Sequence, residues 1–181
     1  RIFAASNKDR SAILLGGRAL REPGLVAAAT VAAATGVKLY AETFPTRIER
    51  GAGLPTIERI AYLAELASVQ LTGLDHLVLV DAKAPVSFFA YPGKKSYLVP
   101  DGCTVHELAS PSDDAIGSLD ALVEKIGAGG AGPALQPLAR PERPTGELTA
   151  DKVCQAVGAV LPENAIISDE SQTSGVTLAA Q

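Results

Sequence analysis

The sequence has no methionine, not even at position 1, so it reads as an excised or processed piece of a longer chain. Cysteine is nearly as scarce. Cys103 and Cys154 stand far apart with no CxxC spacing and no Cys/His cluster, which argues against a disulfide scaffold or a zinc site and fits reduced structural thiols in a cytoplasmic protein. No apolar run approaches the ~20 residues that cross a bilayer, and the Ala-rich stretch 26–34 is bracketed by Gly24 and Gly36. No membrane association is expected. Basic excess is also missing: 16 Lys and Arg face 20 Asp and Glu, a net charge of −4, so there is no electrostatic footprint for nucleic acid. What is present is an ordinary globular mixture, 47% hydrophobic and 20% charged, which excludes disorder, collagen-like repeats and coiled coil. With 181 residues the chain holds one full α/β domain and the opening of a second.

Apolar runs and turn residues give the order β-α-β-α-β-β-β-α. Ser11 to Gly17 is a short buried strand running into a Gly pair, and residues 22–35, with Pro23 in the first turn and Gly36 as the stop, predict a helix. Residues 37–40 predict a second strand. Ile57, Ile60, Ala61 and Ala64 fall at helical spacing and predict a helix over 55–66. The run from His76 to Asp81 is continuous and apolar, as in a central strand covered on both faces. Two further strands are expected at 96–99 and 104–108 around a Pro100-Asp101-Gly102 turn, then a helix over 115–126 begun by Asp113 and Asp114. Four glycines at 127–132 and four prolines by position 144 read as a linker. Beyond it, 148–160 predicts a helix with Thr149 as its cap, and 165–168 a strand.

The chemistry-bearing residues are few. Gly16, Gly17 and Arg18 follow the first strand, where a parallel sheet presents free N–H groups to a phosphate, but the G-x-G-x-x-G spacing of a dinucleotide site is missing. A plain strand-to-helix turn explains the glycines equally well. The aperiodic stretch 44–55 is a loop at the ligand-binding edge of such a sheet, and its Arg47, Glu49 and Arg50 suit a subunit or domain interface. His76 and His106 read as structural histidines in strands. No nucleophile-base spacing, carboxylate pair or metal cluster is visible, so no catalytic or metal-ligating residue is assigned.

Four stretches together carry a family resemblance: Ala-Ile-Leu-Leu-Gly-Gly at 12–17, Ala-Glu-Thr-Phe-Pro-Thr-Arg at 41–47, Leu-Val-Leu-Val-Asp at 77–81 with Ala-Pro-Val-Ser-Phe-Phe at 84–89, and Leu-Pro-Glu-Asn-Ala-Ile-Ile-Ser-Asp-Glu at 161–170. The sequence resembles the large subunit of acetolactate synthase and its benzoylformate decarboxylase-like relatives, which are thiamine diphosphate enzymes. The resemblance implies a Rossmann-like, three-layer α/β/α fold with a mostly parallel sheet. Residues 1–127 correspond to the central domain of such enzymes, 128–145 to a Gly/Pro linker, and 146–181 to an incomplete pyrophosphate-binding domain. It implies an enzyme as the parent, a 2-keto acid decarboxylase or carboligase using thiamine diphosphate and Mg2+, with this piece as a scaffold and subunit-contact part that is not catalytic alone. The family's activating glutamate and its magnesium-binding Gly-Asp-Gly motif are not in the sequence. Thr173 and Ser174 match a loop that approaches the cofactor diphosphate. FAD sits in the central domain of acetolactate synthases proper, whereas the 44–54 and 84–93 loops here look more like the relatives without flavin. Partners are then the other domains of the same chain and further copies of it, as dimer or tetramer. The alternative reading is a stand-alone nucleotide-binding regulatory module that uses Gly16, Gly17 and Arg18.

Overall fold

The protein is described here by a computed structural model covering residues 2–3, 9–171, 173–175 and 177–178. It divides into two compact units, Arg1–Gln136 and Pro137–Gln181. Among the described residues the first is built on five parallel strands: β1 (Ser11–Leu15), β2 (Lys38–Ala41), β3 (Glu58–Arg59), β4 (His76–Val80) and β5 (Thr104–Ala109), in the spatial order β3-β2-β1-β4-β5. Helices α1 (Glu22–Thr35), α2 (Ala64–Leu71) and α3 (Ala115–Ile126) connect or follow them.

Two cores lie on the two faces of this sheet, because side chains alternate along a strand. Ile13 and Leu15 of β1 and Val78 and Val80 of β4 join Ala28 and Val31 of α1 and Leu119 of α3. Ala12, Leu14, Leu77 and Leu79 face the other way, onto Ala67 and Leu71 of α2. All five β1 residues are buried, which is why the run after Ser11 is apolar without interruption, and the Ser11 hydroxyl is satisfied by donating to Ile2 O at 3.2 Å. Each fully buried Ile or Leu contributes about 1.5–3 kcal/mol. The result is the expected Rossmann-like α/β/α sandwich, and among the described strands the sheet is wholly parallel.

Capping chemistry sets the helix ends. Gly36, at φ 74°, closes α1, and the Asp114 carboxylate accepts from Gly117 N at the start of α3. Three expectations are corrected. Residues 55–66 are not a helix: β3 pairs with β2, Ile60 N donates to Ala41 O at 2.9 Å, and the helix begins only at Ala64. Ile57 and Ile60 lie in opposite cores, as residues three apart on extended backbone do, because side chains alternate between the two faces of the sheet. Residues 96–99 add no strand to the sheet. They fold back on the preceding loop through a Val86–Tyr97 bridge and Leu98 N to Pro85 O at 3.0 Å, since β5 already occupies the outer edge of β4. In the second unit, α4 (Ala150–Val160) forms with Thr149 as its cap, but 165–168 has no strand and leaves Ile166 exposed. A strand needs a neighbour to take its N–H and C=O groups, and the described residues of this unit supply none.

Candidate functional site

Parallel sheets place their loops for function at the C-terminal edge of the strands. The turn after β1 is the innermost of these, and it is held tightly. Gly16 N donates to Val80 O at 3.0 Å, which extends the β1–β4 ladder by one bond. Gly17 N, in the left-handed region at φ 44°, donates to Glu42 Oε1 at 3.0 Å, and Arg18 N donates to Asp81 Oδ2 at 2.8 Å. Both N–H groups that would face a bound anion therefore face carboxylates of the same chain. Glu42 directly follows β2 and Asp81 directly follows β4, so the two strands flanking β1 aim an acidic residue each at its turn.

Arg18 completes the arrangement. Its Nε lies 3.4 Å from Asp81 Oδ2, and its Nη2 donates to Pro111 O at 3.0 Å and Asp113 O at 2.6 Å, tying the β1 turn to the loop after β5. Asp81 is buried, and its backbone sits at φ 50°, a conformation that costs most side chains energy and that Asp tolerates better than most.

The loop after β2 turns inward too. Glu49 accepts from Glu22 N at 2.6 Å, at the positive end of α1, and pairs with Arg47 at 3.4 Å and Arg21 at 3.9 Å. Within the chain, Glu49 pins this loop onto α1 through Glu22 N and Arg21, with the half-exposed Arg47 beside it. Arg50 has its pKa lowered by burial first and by Arg59 second.

A feature that the sequence reading missed lies along the same edge. Phe44 after β2, Tyr62 after β3, and Phe88, Phe89 and Tyr91 after β4 form one chain of ring contacts, with centroids 4.8 Å apart for Phe44–Phe88 and 5.3 Å for Tyr62–Phe89. All five rings are substantially exposed. The sequence has only 4 Phe and 4 Tyr, so this edge takes most of its aromatic content. The available signal was that these rings all follow strands and none lies within one.

Away from this edge, His76 Nδ1 and His106 Nε2 approach to 3.1 Å between β4 and β5. Burial, and then the neighbouring His76, lower the His106 pKa. Thr173 and Ser174 belong to the second unit and are exposed, with Ser174 O accepting from Cys154 Sγ at 3.4 Å. Cys103 and Cys154 are both free thiols. Among the described residues no group of three or more His, Cys, Asp and Glu is placed to hold a metal ion. No described helix is long and apolar enough to cross a membrane.

No protein-family model matches the sequence. The solved structure of a thiamine diphosphate-dependent 4-hydroxybenzoylformate decarboxylase from Rhodococcus jostii RHA1 matches with a TM-score of 0.63, over 97% of this chain and 36% of that one, at 18% identity. The class follows: this is a Rossmann-like α/β fold of the kind found in thiamine diphosphate enzymes. The Mycobacterium tuberculosis protein named "Putative acetolactate synthase large subunit IlvX" is 53% identical over 166 residues, which is 92% of this chain and 32% of that protein. The chain is accordingly similar over most of its length to a protein named as an acetolactate synthase large subunit, in line with the resemblance its motifs carry, and it spans about a third of the length of the relatives it matches.

Proposed function

We propose that the chain is the central scaffold and subunit-contact part of an acetolactate synthase-like enzyme that decarboxylates a 2-keto acid or joins it to a second carbonyl compound. The observation that carries this reading is the 53% identity to the mycobacterial protein, sustained over 92% of the chain. Thiamine diphosphate, held with Mg2+ by other parts of the parent, supplies the electron sink of that chemistry. This chain's contribution is positioning. The division at 127 and 145, with 146–181 opening the pyrophosphate-binding domain, belongs to the same reading, as do the dimeric or tetrameric assembly and the cytoplasmic location of the parent. Thr173 and Ser174, both exposed hydroxyls, are the residues proposed to approach the diphosphate. The aromatic edge formed by Phe44, Tyr62, Phe88 and Phe89 is proposed as the face that meets the rest of the longer polypeptide, since relatives about three times this length have other parts to place against it.

The test is an assay of the 181-residue chain with thiamine diphosphate, Mg2+ and a panel of aliphatic and aromatic 2-keto acids. No CO₂ release is expected. Turnover by this chain alone would overturn the scaffold reading. The alternative of a stand-alone nucleotide module draws no support from the β1 turn, where both outward N–H groups already have carboxylate acceptors.

A further inference from the structure

The family resemblance brings FAD into question, and the β1 turn tests whether this chain fits it. A dinucleotide diphosphate bound at such a turn needs three things: free N–H donors, space next to the glycines, and a cation. Each is already committed here. The donors of Gly17 and Arg18 go to Glu42 and Asp81. The space is filled as well: a Cβ added at Gly17 would stand 2.5 Å from Asp81 Oδ2, and one at Gly16 would stand 2.4 Å from Asp81 O. These glycines make room for Asp81. The cation, Arg18, is spread over Asp81, Pro111 O and Asp113 O. An incoming diphosphate would meet two carboxylates at the positions its own oxygens require.

We infer that Asp81, with Glu42, acts as a built-in substitute for a bound phosphate and shuts this turn to FAD and to other dinucleotide diphosphates. The residues present do not fit the flavin nucleotide. The inference goes beyond the proposed function, which survives whether or not flavin binds, because the wider family includes members of both kinds. It also gives the left-handed backbone at Asp81 a role, since that conformation follows directly from β4 and turns the residue towards the β1 turn.

The experiment is thermal unfolding of the 181-residue chain with and without FAD, ADP and inorganic pyrophosphate, on the wild type, on Asp81→Asn, and on Asp81→Gly combined with Glu42→Gln. A probe well above its Kd raises Tm by several degrees when it binds only the folded state. The wild type is expected to show no shift with any probe. The double variant removes both charges and empties the space, and glycine accepts the backbone angle at position 81, so pyrophosphate is expected to raise its Tm in a saturable way. Asp81→Asn keeps the volume and is expected to stay unresponsive. A saturable shift of the wild type with FAD or ADP overturns the inference, and so does a folded double variant indifferent to pyrophosphate. If the double variant fails to fold, the wild-type and Asp81→Asn measurements decide the matter by themselves.

Discussion

At the scale of single residues, the decisive contacts join positions far apart in the chain. Gly16, Gly17 and Arg18 were legible as a strand-to-helix turn, but their acceptors were not, because Glu42 and Asp81 reach the turn only once β2 and β4 pair with β1 on either side. Comparing two glycines isolates the effect. Gly17→Ala meets both a positive φ and the Asp81 carboxylate, and is expected to cost about 2 kcal/mol or more in urea unfolding. Gly53→Ala has a positive φ but open space around its Cβ, so about 1 kcal/mol is expected there. Equal losses at the two sites would mean that the Asp81 contact adds nothing. The histidine pair makes a pH prediction. His106 has its pKa lowered in the folded chain, so the folded state binds fewer protons than the unfolded state just below the ordinary histidine value of 6.5. Its contribution is present above 6.5 and is lost as pH falls from there towards the lowered folded value. His106→Gln should flatten this part of a stability-against-pH curve, and an unchanged slope would contradict it.

Among the secondary-structure elements, those with capping residues at their ends were readable and those fixed by distant partners were not. Helices α1, α3 and α4 fall close to their expected limits because Gly36, Asp114 and Thr149 mark them chemically. Removing the cap with Asp114→Ala is expected to cost about 1 kcal/mol in denaturant unfolding. The segment 55–66 misleads because Ile57, Ile60, Ala61 and Ala64 satisfy a helical period while the open edge of β2 claims Glu58 and Arg59. Gln70 of α2 then holds this edge from outside the strand. Its Oε1 accepts from Ala61 N at 2.8 Å, and its Nε2 donates to Arg59 O at 3.1 Å. Gln70→Ala should speed hydrogen exchange at Ile60 N, which bonds Ala41 O, and leave exchange in β1 and β4 unaltered. Uniform acceleration through the sheet would show that β3 does not open by itself.

For the whole molecule, the Rossmann-like architecture was legible because continuous apolar runs at 12–15 and 77–80 can be buried only between two helical layers. The second unit was less so: its Ile-Ile pair reads as a strand, yet Cys154 is the one buried residue in its described helix. The two units should consequently differ in resistance to protease. A glutamate-specific protease is expected to cut first at the exposed Glu142 or Glu147, leaving the 1–136 sheet unit intact, and initial cleavage at Glu107 in β5 or Glu124 in α3 would contradict that order. The central claim concerns what the sheet unit is for. It is tested most directly by building this chain into the mycobacterial relative in place of the 166 residues it matches, and measuring the Tm shift that thiamine diphosphate with Mg2+ produces. A scaffold of the same kind predicts a chimera with a shift like that of the unaltered relative, whereas a folded chimera with no cofactor response would contradict the account.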